Sequence, residues 1–94
     1  MALLSNKEIS LALSSLDDWS FSNNKIHKNI SFNTYMDGIS FVNQLAKIAE
    51  EKNHHPDLTI GWCQVGIVLT SHDQGGVTDQ CLSMAKIIDN MIDE

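Results

Sequence analysis

The apolar residues change their spacing along the chain, and each change marks an element. Ile9, Ala12, Leu13 and Leu16 recur at helical spacing and form one stripe. Ser5 and Glu8 have capping-box spacing, in which each side chain satisfies an amide that a helix start leaves free. A helix is predicted over about residues 6–16, ended by Asp17-Asp18. Trp19 and Phe21 then alternate with serines, and Asn23-Asn24 suits the left-handed conformations of a tight turn. Ile26, Lys28, Ile30 and Phe32 share one phase of the next run, so 19–22 and 25–32 read as a hairpin. Lys28 interrupts an otherwise apolar set. It points to a strand that lies at a sheet edge or is only partly apolar on its inner face.

Asn33 or Thr34 can cap a second helix, with Asp37 well placed in its first turn. Tyr35, Ile39, Val42, Leu45, Ala46 and Ala49 mark its core stripe. Phe41 and Ile48 widen that stripe beyond one buried face, which suggests packing against something besides the sheet. After Glu50-Glu51-Lys52, period-two alternation returns. Leu58, Ile60 and Trp62 point one way, Val65, Ile67 and Leu69 follow, and strands are predicted at about 58–63 and 65–71 with a turn near Cys63-Gln64. Gly75-Gly76 marks a tight loop, Thr78 can cap, and Leu82, Ala85, Ile88 and Ile92 put a third helix at about 79–92. The order is α-β-β-α-β-β-α. Strands arriving in hairpin pairs predict an α+β fold, a four-stranded antiparallel sheet with three helices packed on one face. Residues 1–94 are expected to form a single domain, since chains of this size rarely hold two cores.

Composition narrows the function classes. With 43% apolar and 19% charged residues the chain is that of an ordinary globular protein. A net charge of −6 and scattered lysines argue against direct nucleic-acid binding. Cys63 and Cys81 form no CxxC and lack zinc-site spacing, so reduced thiols are expected. The N-terminal MALLSNKE lacks the features of a signal peptide, and no apolar run approaches the ~20 residues of a membrane span. A cytoplasmic protein is the expectation.

Candidate chemistry lies at the element boundaries, where loops are held by rigid elements. His54 and His55 follow the second helix, and His72 follows the fourth strand. If the last two strands pair as a hairpin, Pro56 comes opposite Ser71, and the three histidines meet at its open end. Imidazole suits proton transfer because its ordinary pKa of about 6.5 is near cellular pH. Two such rings in one cleft can divide the work, one neutral as base and one charged as acid. Pro56 biases His55 toward extended backbone, so His54 and His55 should point in different directions. A metal site is disfavoured, because adjacent histidines seldom chelate one ion and no third ligand stands at helical spacing. His27 reads as a surface residue. Trp19 and Trp62 could stack a flat heterocycle, but aromatics in strands are more often core.

The residues Glu50-Glu51-Lys52-Asn53-His54-His55-Pro56, Trp62 and Ser71-His72-Asp73-Gln74-Gly75-Gly76 together resemble the signature of pterin-4a-carbinolamine dehydratases. That signature has an acidic residue four before a His-His-Pro, an aromatic about six after it, and another His ten beyond the aromatic. The likeness runs over nearly the whole chain, including Trp19, Phe32, Tyr35 and Phe41. It implies the same element order, dimers made by sheet extension, and often tetramers. The implied substrate is a 4a-hydroxytetrahydropterin, dehydrated to the quinonoid dihydropterin in tetrahydrobiopterin recycling, with no metal or organic cofactor. His54, His55 and His72 would be the catalytic set, with His54 and His72 as the acid/base pair and His55 orienting the pterin. Which ring gives the proton is left open by the pattern. Substrate contacts would also come from Pro56, Ser71 and Asp73, with Glu50 and Trp62 in support. Two positions depart from the pattern. Cys81 stands where many members carry Asp, so that Asp79 or Asp89 would have to substitute if a carboxylate is needed there, and Asn53 stands where Asp is common. The alternative is a binding module that stabilises a partner protein's dimer through the helical surface around Phe41 and Ile48.

Overall fold

The computed structural model describes residues 3–92. Helix α1 (Asn6–Leu13) starts at the expected capping box, with the Glu8 amide donating to Ser5 Oγ at 3.1 Å and the Ser5 amide to Glu8 Oε1 at 2.8 Å. It ends short of the expected residue 16. The hydroxyls of Ser14 and Ser15 donate back to the carbonyls of Leu11 and Ala12 at 2.6 and 2.8 Å, and such local bonds compete with helix continuation.

Strands β1 (Ser20–Ser22) and β2 (Lys25–Ser31) are joined by Asn23 and Asn24, whose φ values of 52° and 64° are the positive pair a two-residue hairpin requires. Strands β3 (Asp57–Gly61) and β4 (Gln64–Leu69) form the second hairpin, and β4 also pairs with β2. The result is an antiparallel sheet in the order β1-β2-β4-β3, and with three helices the fold is α+β, as expected. Ile26 and Ile30 of β2 and Val65, Ile67 and Leu69 of β4 are buried beneath the helices. The other sheet face carries His27, Asn29, Thr59, Gln64 and Val68 and stays open.

Two sequence expectations are corrected, and one left with two readings is resolved. β2 lies between β1 and β4, so the edge-strand reading of Lys28 falls and the partly apolar inner face holds, with Lys28 facing inward because its charge is met there. Its Nζ donates to Asp89 Oδ1 at 2.9 Å and to the Asp17 carbonyl at 2.7 Å. Trp19 Nε1 donates to the same Asp89 oxygen at 3.0 Å, and the ammonium lies 5.8 Å from the Trp19 ring centre. The buried face of α2 (Tyr35–Lys52) runs through Gly38, Phe41, Leu45 and Ala49, whereas Tyr35 and Ala46 are exposed. Phe41 belongs to this face because its ring packs on Phe32, with centroids 5.4 Å apart. Finally, the β3–β4 turn falls on Trp62-Cys63, a residue earlier than expected, with Cys63 left-handed at φ 57°. Asp57 therefore faces Val68, and Pro56 does not face Ser71.

Helix α3 (Asp79–Ile92) completes the core with Cys81, Met84, Ala85 and Ile88. The broad α2 stripe is thus largely used within the chain, since Phe41 is buried and Ile48 half-buried. Among the described residues no helix is long and apolar enough to cross a membrane.

Candidate active site

Asn53 ends α2 and sets the direction of both following histidines. Its backbone is left-handed (φ 50°, ψ 42°), a conformation Asn tolerates better than most residues. The Asn53 amide donates to the Glu50 carbonyl at 3.3 Å and the His54 amide to the Ala49 carbonyl at 3.1 Å. This pair of reverse bonds is a Schellman closure, which satisfies carbonyls the last helical turn would leave free. From it His54 turns inward, to 7% exposure, and His55 outward. The extended backbone that Pro56 favours before it accounts for the divergence. His55 Nε2 pairs with the Glu50 carboxylate across the last turn of α2, and both side chains are largely in solvent.

The other wall is the loop after β4. The Ser71 amide donates to the Gly76 carbonyl at 2.8 Å, and the Ser71 carbonyl accepts from the amides of Gln74 at 3.0 Å and Gly75 at 2.8 Å. Gly75 takes φ 76°, which a side chain would oppose. Ser71 Oγ lies 2.7 Å from Thr78 Oγ1 and 3.6 Å from Cys81 Sγ, all buried. The loop is thus clamped to the start of α3, and it presents His72 and Asp73 at its tip. His72 Nε2 approaches Asp57 Oδ2 at 3.3 Å, which orients the ring.

Between these walls lies a recess of about 320 Å³ lined by Asn53, His54, His55, Ser71, His72, Asp73 and Gln80. The three histidines therefore converge, although the hairpin register differs from the expected one. They meet because α2 and β4 both end at this edge. His54 Nε2 is buried and has no hydrogen-bond partner among the described residues. Burial pushes the His54 pKa below the usual imidazole value, repulsion from His72 and His55 adds to that, and Asp73 opposes it. His54 is consequently neutral near pH 7, as a proton acceptor should be.

Other expected site residues fare differently. Ser71 is part of the wall, but its hydroxyl and both backbone groups are already bonded within the loop. Pro56 is half-buried and does not line the recess. Trp62 is 82% exposed at the opposite end of the hairpin, away from the histidines. Asp89 is held by Lys28 and Trp19, and Asp79 does not line the recess, so neither stands in for the Asp that Cys81 displaces. Asp57 and Gln80 were missed from the sequence. Asp57 directly follows Pro56, and only pairing across the β3–β4 hairpin carries it to His72. Among the described residues no group of three or more His, Cys, Asp or Glu side chains is arranged to hold a metal ion.

A small α+β protein with converging histidines at one edge of its sheet is the class that fold and site define. Residues 2–91 match the family model for pterin 4 alpha carbinolamine dehydratase, and the chain belongs to that family. A curated relative from Mycobacteroides abscessus, provisionally named pterin-4-alpha-carbinolamine dehydratase, is 39% identical over 98% of each chain. One from Thermosynechococcus vestitus with the same provisional name is 38% identical over 94% of this chain and 93% of its own. Among solved structures, a protein described as a transcriptional coactivator/pterin dehydratase from Brucella melitensis superposes with a TM-score of 0.91. It is 27% identical over 95% of this chain and 97% of its own. A pterin dehydratase-like RuBisCO assembly factor of the alpha-carboxysome shares the fold, with a TM-score of 0.64 at 22% identity over 78% of this chain and 84% of its own.

Proposed function

We propose that the chain dehydrates a 4a-hydroxytetrahydropterin to the quinonoid dihydropterin and water. The observation that carries this reading is His54, buried and unpartnered in a recess shared with His55 and His72. Family membership supplies the substrate class. In this mechanism His54 removes the proton from N5 of the pterin. The N5 electron pair then forms the N5–C4a double bond, the C4a–O bond breaks, and His72 protonates the departing hydroxyl so that it leaves as water. His55, braced by Glu50, orients the ring, and Asp73 faces it from the loop. General acid/base assistance of this kind contributes about 10²–10⁴-fold.

The proposed setting is a homo-oligomer in a reducing compartment such as the cytoplasm. Support comes from the free thiols Cys63 and Cys81, and from β3, an edge strand with exposed Ile60 and a neighbouring exposed Trp62. The Brucella melitensis neighbour's description keeps a second reading in play, a partner-binding role. Tyr35 and Met36, exposed at the start of α2, are the apolar groups such a partner would cover.

Stopped-flow absorbance of 4a-hydroxytetrahydropterin decay tests the enzyme reading. His54→Ala and His72→Ala should each remove most of the acceleration. Wild-type protein that gives no acceleration over the spontaneous reaction refutes it and leaves partner binding as the function.

A further inference from the structure

His72 and Asp57 come from different elements, and the way they meet decides how His72 can act. Asp57 is the first residue of β3, held in the ladder opposite Val68 of β4. His72 stands beyond Leu69, the end of β4, in the loop that the backbone bond between Ser71 and Gly76 closes. The Asp57 carboxylate lies 3.3 Å from His72 Nε2, and among the described residues Nδ1 of that ring makes no hydrogen bond. We propose that Asp57 is a positioning residue that occupies Nε2 of His72, so that His72 gives its proton to the departing hydroxyl from Nδ1. The inference rests on the dehydratase reading and adds to it the working atom and the residue that selects it.

An ionised carboxylate only accepts hydrogen bonds, so Nε2 must carry a proton to meet it. An imidazolium carries a proton on each nitrogen. Losing the one on Nδ1 leaves the neutral tautomer with its Nε2–H still bound to Asp57. Losing the one on Nε2 would break that contact and set the carboxylate against a lone pair. Period-two alternation puts Asp57 on the same sheet face as Thr59 and Val68, the open one, and Asp57 does not line the recess. The carboxylate therefore draws the ring tip, with Nε2, out of the recess that His72 helps to line. Nδ1, next to the ring's point of attachment, is the nitrogen left to face substrate. The leaving hydroxyl then sits at the base of the ring, against the loop of His72 and Asp73. Asp73 belongs to that same loop and Glu50 is paired with His55, so Asp57 is the carboxylate that ties the His72 ring to the sheet. At 3.3 Å the contact is long, and catalytic contacts in unliganded sites often tighten when substrate enters. Both side chains are 62% exposed, so the pair contributes little to stability and acts on orientation.

Dehydration kinetics with three altered proteins test this. Nδ1-methylhistidine in place of His72 blocks the proposed donor and leaves Nε2 free, and its kcat should fall to that of His72→Ala. Asp57→Ala should lower kcat about tenfold, as release of the ring from its productive orientation would, with KM within about twofold of wild type. Its Tm should stay within a few degrees of wild type, because exposed pairs add little to stability. Asp57→Glu keeps a carboxylate at the strand end and should recover most of the lost kcat. Turnover retained by the methylated protein overturns the Nδ1 assignment. An unchanged kcat in Asp57→Ala, or a loss that appears in KM instead, overturns the role of Asp57 and leaves the histidine site standing. Wild-type protein that gives no acceleration overturns the dehydratase reading and this role with it.

Discussion

Removing the Asp89 carboxylate should unfold the protein far more readily without touching its chemistry. Lys28 and Asp89 form an ion pair at 2.9 Å with side chains only 10% and 14% exposed. Asp89→Ala leaves the Lys28 ammonium nearly buried, with the Asp17 carbonyl as its remaining hydrogen-bond acceptor, and also strips Trp19 Nε1 of its partner. Breaking one side of such a pair costs about 3–5 kcal/mol. The residual exposure and the surviving carbonyl bond argue for the lower end, about 3 kcal/mol. For a domain of this length total stability is roughly 5–14 kcal/mol, and 1 kcal/mol moves Tm by about 4–8 °C. A fall in Tm of at least about 12 °C is therefore expected in differential scanning fluorimetry. Lys28→Met combined with Asp89→Leu should recover most of it, since an apolar pair of similar volume is often neutral or better. Dehydration rate per folded molecule, measured well below the lowered Tm, should match wild type. Asp89 lies eight residues along α3 from Cys81, about 12 Å at 1.5 Å per residue. An Asp89→Ala protein with an unchanged Tm would refute the account of the buried pair. A normal Tm with lost turnover would make Asp89 the missing family carboxylate after all.

Three further outcomes follow from the site and the sheet edge. Because the folded protein holds His54 below the ordinary value of 6.5, the unfolded chain takes up that proton first. Stability should fall as pH drops from about 6.5 toward the lowered folded value and should be indifferent to His54 above about 6.5. Urea midpoints at about pH 5.5 and 7.5 check this, and His54→Gln should narrow the gap between them. Ser71→Ala should cost about 1–2 kcal/mol by leaving Thr78 Oγ1 with only the long contact to Cys81 Sγ at 4.0 Å, and should lower kcat more than it raises KM by loosening His72. Unchanged kcat would show that the loop holds its geometry through backbone bonds alone. Trp62→Ser should shift the protein toward monomer in analytical ultracentrifugation, without loss of fold, if β3 is the edge that pairs between copies.

What the sequence disclosed was whatever short-range chemistry decides. The Ser5/Glu8 box, the Thr34 cap and the Asn23-Asn24 turn each depend on residues a few positions apart, and each is found in the fold. The meeting of His54, His55 and His72 was legible too, because it requires only that α2 and β4 end on one edge. The choice between the two readings of Lys28 was not legible, because its partner Asp89 is 61 residues away. The buried face of α2 was misjudged because its apolar residues cover more than one side, and packing with Phe32 picks the side. The β3–β4 register slipped because Cys63 is a left-handed turn residue with no compositional signature.

The two tryptophans divide the molecule's intrinsic fluorescence into independent reporters. Trp19, 7% exposed beside Lys28 and Asp89, should emit as a shielded indole until the chain unfolds. Trp62, 82% exposed at the hairpin tip, should emit as a hydrated one unless another surface covers it. Neither ring lines the histidine recess, so a bound pterin would be seen through its own emission or by energy transfer. Blue-shifted emission that arrives with increasing concentration would instead signal contact between copies.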